Sequence, residues 1–174
     1  MSKREDISWN PENDWGGKTI YDEIKKHPEN QSKLPEDLWN NGVQTFSKRY
    51  YCNKETIWYL DKSEDYPSVE EAVNAIKNAG GLVFLPHMYI YKWMQNIEQE
   101  LNELVDKYNI DGIECYHSDF TQENINYLNE YCDKNNFFKS GGSDYHGDNK
   151  PHISLASGRG NLKIPTKIIE NWCK

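Results

Sequence analysis

From residue 66 onward, apolar and polar positions alternate in a regular order of elements. Ser68-Val-Glu-Glu71 has the form of a capping box, in which the serine hydroxyl accepts an amide and the glutamate reaches back. Val69, Ala72, Val73 and Ile76 then fall at helical spacing, and Gly80-Gly81 predicts a left-handed end to that helix. The continuous apolar run 82–85 predicts a strand covered on both faces, closing at Pro86-His87. A second helix is predicted over about 96–108, with Ile97, Leu101, Leu104 and Val105 on one face. A second strand follows at 112–116 and ends at His117. Thr121 caps a third helix whose inner face is Ile125, Leu128 and Cys132, and 137–139 reads as a third strand. The paired glycines at 141 and 142 predict a sharp turn beyond it. A fourth strand near 153–156 and a closing helix over 165–173 complete the pattern, with Ile168, Ile169 and Trp172 inward.

Before residue 66 the pattern is weaker. Residues 1–18 are polar and turn-rich, and 19–27 predicts a short helix broken at Pro28. A helix over 35–50 is opened by Pro35 with Glu36 and Asp37 behind it, although Gly42 interrupts its apolar side. The run 56–60 reads as a strand or as an element packed on a core. The expected organisation is therefore an irregular, helical segment over 1–65 and an α/β region over 66–174. Helix–strand alternation in the second region implies β-α-β units and parallel strands.

Composition adds limits. With 174 residues, 36% hydrophobic and 13% aromatic, the chain has enough large side chains for a folded core under a polar surface. The net charge of −8 argues against nucleic-acid binding, which rests on phosphate neutralisation by Lys and Arg. Cys52, Cys115, Cys132 and Cys173 show no paired spacing and read as reduced thiols. No apolar run suits a signal peptide or a membrane span, so a soluble, cytoplasmic chain without a membrane partner is expected.

The candidate chemistry lies at the strand ends. Parallel α/β architectures bring ligands to the carboxyl ends of their strands. Here His87 closes the first strand, Glu114 and His117 the second, and Asp144 with His146 the third. If the chain stays extended after the glycines, Asp144 and His146 point the same way, offering a carboxylate and an imidazole to one pocket. That pair suits Mn²⁺, Fe²⁺ or Zn²⁺ better than Ca²⁺ or Mg²⁺. It also suits a plain turn in which Asp144 caps the next segment. Glu114 faces either solvent or the site, and His117 with Asp119 reads first as loop surface. Lys150 and His152 read as solvated side chains, with phosphate contact as the other option. Tyr89, Tyr91 and Trp93 read as a packed wall. A Gly-x-Ser-x-Gly elbow, a Walker loop and a dinucleotide fingerprint are all absent from the sequence.

Three stretches together, Gly80-Gly-Leu-Val-Phe-Leu-Pro-His87, Asp111-Gly-Ile-Glu-Cys-Tyr116 and Gly141-Gly-Ser-Asp-Tyr-His-Gly147, carry a likeness in order and spacing. They resemble the carboxyl-terminal half of the polymerase and histidinol phosphatase (PHP) superfamily, in particular its stand-alone metal-dependent phosphoesterases. The resemblance covers about 66–172. It implies a partial, distorted β/α barrel, two or three divalent metal ions (Mn, Zn or Fe), and hydrolysis of a phosphorylated small molecule or nucleotide. By that likeness His87, Asp144 and His146 match metal ligands. Glu114 and His117 match a motif beside the site, with a supporting or substrate-binding role left open for them and for Lys150.

The chain departs from the family in one large respect. The family opens on a His-x-His strand with further ligands, and this sequence has no His-x-His. Its one histidine before His87 is His27. Half of the ligand set is thus missing. A separate amino-terminal PHP half, or self-association, is the expected partner, and a feeble or inactive chain is expected without one. A non-catalytic remnant that binds a metal or a partner protein is the competing expectation.

Overall fold

The structure, a computed structural model, describes residues 16–173 except 60, 62, 92, 93 and 95. Expectations for 1–15, Leu60 and Trp93 lie outside the described residues. The chain divides into two compact units, with the boundary between Tyr66 and Pro67.

In the first unit, α1 spans Gly16–Lys25, α2 Glu36–Asn40 and α3 Gly42–Phe46, followed by a wide helical turn at Ser47–Tyr51. The single helix expected over 35–50 is therefore broken. Gly42 adopts φ +76°, outside the right-handed helical range, so the chain restarts there. The core of this unit is Tyr21, Ile24, Leu38 and Phe46. Tyr21, Tyr50, Tyr51 and Trp58 surround the Phe46 ring at centroid distances of 5.7–6.4 Å. Residues 56–59 form turns, not a strand. On the surface, Asp37 accepts hydrogen bonds from the Tyr50 hydroxyl (2.5 Å) and the Arg49 guanidinium (2.8 Å).

The second unit carries the site. Helix α4, Val69–Asn78, starts at the expected capping box, with the Glu71 amide 3.2 Å from Ser68 Oγ and the Ser68 amide 2.8 Å from the Glu71 carboxylate. Gly80, at φ +78°, ends that helical run. Strand β1 is Phe84–Leu85, helix α5 Ile97–Lys107, strand β2 Gly112–His117, helix α6 Gln122–Asn135 and strand β3 Phe138–Gly142. The strands form one parallel sheet in the order β1-β2-β3. A mixed α/β fold with an open parallel sheet is consistent with a partial barrel. Among the described residues, no helix is long and apolar enough to cross a membrane.

Leu101, Ile113, Cys115, Leu128 and Cys132 are fully buried between the sheet and α5 and α6. Gly112 permits the close β1–β2 approach: a Cβ there would stand 2.2 Å from the Phe84 ring and 2.7 Å from Phe138 O. Asp111 ties the same end of the sheet together, accepting from the Val83 amide (2.5 Å) and the Lys77 ammonium (2.6 Å).

Three expected elements differ. Gly141 and Gly142 do not turn; they extend β3 and pair with Tyr116 and His117. A Cβ at Gly141 would lie 2.7 Å from Tyr116 Cβ, so small residues are needed for contact rather than for a bend. The stretch 153–156 is a turn closed by an isolated antiparallel bridge, Ser154 to Gly158, because Ala156 (φ 66°) and Gly158 (φ 61°) reverse the chain. The closing helix is a short 3-10 turn, Thr166–Ile169, in which Ile168 is buried and Ile169 exposed. Trp172 is nevertheless docked, its Nε1 donating to Lys139 O (2.9 Å) and its ring 4.9 Å from Phe84.

Candidate functional site

Parallel pairing puts the ends of β1, β2 and β3 at one edge of the sheet, and the residues just beyond them meet there. Among the described residues, four that are not glycine have positive φ. Two of these stand at this edge, His87 (30°) and Asp144 (56°). Such backbone costs energy and persists where surrounding contacts enforce it, often at functional sites.

Glu114 enforces the first. It is half-buried on β2, and its carboxylate accepts the His87 backbone amide at 2.6 Å. Burial pushes the Glu114 carboxyl up from its ordinary value, and the His87 amide only partly opposes this. Gly142 leaves room for it, since a Cβ there would stand 3.3 Å from Glu114 Oε1. Of the two faces open to Glu114, the structure gives the site side.

His117 corrects the sequence expectation of loop surface. It is 2% exposed, with its ring centroid 5.9 Å from that of His87 and 5.1 Å from that of Phe120. The regular alternation of β2 puts Ile113, Cys115 and His117 on one buried side, with Glu114 and Tyr116 on the other. The Asp119 amide donates to His117 Nδ1 at 3.1 Å, so the neutral ring carries its proton on Nε2. That nitrogen is buried, has no hydrogen-bond partner, and lies 3.6 Å from Asp144 Oδ2. The His117 Nε2–H thus faces Asp144 from just beyond hydrogen-bond reach.

His146 has the opposite tautomer. Its Nδ1 lies 2.8 Å from the Asp144 carbonyl, which only accepts, so Nδ1 bears the proton and Nε2 keeps its lone pair. The Asp144–His146 stretch is not extended, as the left-handed Asp144 shows; the turn itself brings the ring back, with Nδ1 3.4 Å from Asp144 Oδ1. Lys150 closes the group by donating to Asp144 Oδ2. Burial alone would raise the Asp144 carboxyl, but the Lys150 ammonium, helped by His146 and His117, holds it below 3.8.

His87, Glu114, His117, Asp144, His146 and Lys150 thus form one chain of contacts. Among the described residues, no group of three or more His, Cys, Asp or Glu is arranged to hold a metal ion as it stands. The donor chemistry fits a divalent ion in part: His87 Nδ1 is buried without a partner, His146 Nε2 carries a lone pair, and Asp144 is ionised. Asp119 is exposed, as expected of loop surface, and pairs with Arg159 (2.9 Å), and Tyr91 packs its ring 5.3 Å from His87. Ser118 and Ser143, which the sequence pattern did not single out, are buried, with Ser118 Oγ donating to Ser143 O at 2.7 Å and locking the β2 and β3 ends.

No family model matches the sequence, and no curated protein matches it significantly. Solved structures do. An amidohydrolase from Chromobacterium violaceum, with bound sulfate and no metal, superposes with a TM-score of 0.56 at 17% identity over 86% of this chain and 46% of its own. A putative metal-dependent phosphoesterase from Bifidobacterium adolescentis gives 0.55 at 21% identity over 90% of this chain and 49% of its own. The chain therefore shares the fold of part of each of these two structures, and spans about half of their length.

Proposed function

We propose that this chain supplies one side of a metal-dependent phosphoesterase site of the PHP type, corresponding to the carboxyl-terminal half of such a domain. The observation that supports the reading is the run of neighbours from His87 through His117 to Asp144 and His146 beyond the strand ends, with His146 Nε2 free to coordinate. His87, Asp144 and His146 would hold the divalent ion, which supplies charge neutralisation for the phosphate and activation of water.

The chain's own residues have separable roles in this reading. Glu114 fixes the His87 backbone, and so the angle at which that ring enters the site. His117 places an Nε2–H 3.6 Å from Asp144 Oδ2, a donor left for that carboxylate or for a bound anion. Lys150 brings a cation that matches a phosphate oxygen as well as a carboxylate.

A site of this type needs ligands that the sequence lacks, and misplacement by about 1 Å can cost roughly 100-fold in rate. The purified chain with Mn²⁺ and a generic phosphomonoester is therefore expected to show little turnover. A second polypeptide bearing the His-x-His ligands should restore it, and Asp144→Asn or His146→Ala should abolish the restored rate. Strong activity of the chain alone would overturn the half-site reading and leave the phosphoesterase reading standing. No restoration by a folded, stably bound complement would favour a non-catalytic remnant, the reading that the Lys150–Asp144 pair also supports.

A further inference from the structure

Asp144, the carboxylate on which the proposed metal site depends, already holds a cation of the chain's own. Lys150 Nζ lies on Oδ2, the oxygen that also faces His117 Nε2 at 3.6 Å. The contact is built by local backbone. Gly147 adopts φ +56°, a 3-10 turn follows over Gly147–Asn149, and the Lys150 amide closes it on Gly147 O at 3.1 Å. The turn thus carries the lysine back to the aspartate six residues before it.

A first-row divalent ion binds a carboxylate oxygen at about 2.0–2.2 Å. With the Lys150 ammonium already on Oδ2, an ion entering there meets like charge at close range. Lys150 is 36% exposed and Asp144 26%, so the lysine has an open path outward, whereas His117 is held by its surroundings. We propose that Lys150 is the resident cation of this site, and that a divalent ion binds Asp144 only by displacing it. Lys150 then sets the metal affinity of the site. The inference rests on the metal-binding reading above.

The test is calorimetric titration of the full chain with Mn²⁺ and with Zn²⁺, at fixed pH and salt. Removing one charge-assisted hydrogen bond that the ion must break should tighten binding about 10-fold in Lys150→Gln. Lys150→Arg keeps the pairing and should stay near the parent value. Lys134→Gln, the same charge change at the far end of α6, should bind as the parent does. Adding Asp144→Asn to Lys150→Gln should remove the gain. A parent that binds no ion, beside a Lys150→Gln variant that does, would also support the proposal. A parent that binds, with a natively folded Lys150→Gln that binds no more tightly, would overturn it and leave the metal reading intact. Absence of binding in both would overturn the two together.

Discussion

At the scale of single residues, hydrogen bonds to two histidines separate their roles. An amide that donates to His117 Nδ1 and a carbonyl that accepts from His146 Nδ1 give opposite tautomers, hence a donor and a ligand-type nitrogen. An acidic residue in the first unit offers a direct pH test. Hydrogen bonds from Tyr50 and then Arg49 hold the Asp37 carboxyl below its ordinary 3.8. A depressed carboxyl binds fewer protons when folded, so its contribution is present above pH 3.8 and is lost as pH falls through the lower folded value. Carboxyl NMR should place the Asp37 midpoint below 3.8, and Asp37→Asn should flatten the acid limb of stability. A midpoint at the ordinary value would show the Tyr50 and Arg49 contacts to be idle in solution.

At the scale of elements, the last turn is short but anchored. Trp172→Ala removes the bond to Lys139 O and the ring contact with Phe84. Because Trp172 is only half-buried, the expected loss is about 2–3 kcal/mol, toward the lower end for large core truncations. Urea denaturation should show a lower midpoint; an unchanged midpoint would mean that the turn is not docked. The elements best legible in the sequence were those with local signals. The Ser68–Glu71 box and Thr121 cap mark α4 and α6, and the apolar runs mark the strands. Gly141-Gly142 misled because a glycine pair has the same appearance whether it bends or lets strands approach, and only the Tyr116 neighbour decides. His117 misled for a related reason: its burial comes from Phe120, His87 and Asp144, residues from three strand ends that sequence spacing does not bring together.

At the scale of the molecule, the strand-end cluster was legible because parallel topology forces distant residues to one edge. The pairing of Lys150 with Asp144 was not, since a turn residue's direction depends on Gly147 and on the left-handed Asp144. The chain matches about half the length of its structural neighbours. The central claim is that His87, Asp144 and His146 together take a divalent ion. Anomalous diffraction from crystals of the chain grown at saturating Mn²⁺ or Zn²⁺ tests it most directly. The expected result is a peak about 2.0–2.2 Å from Asp144 Oδ2 and His146 Nε2, with His87 completing the protein ligands and Lys150 moved off the carboxylate. A site without a peak, with Lys150 still on Asp144, would contradict it.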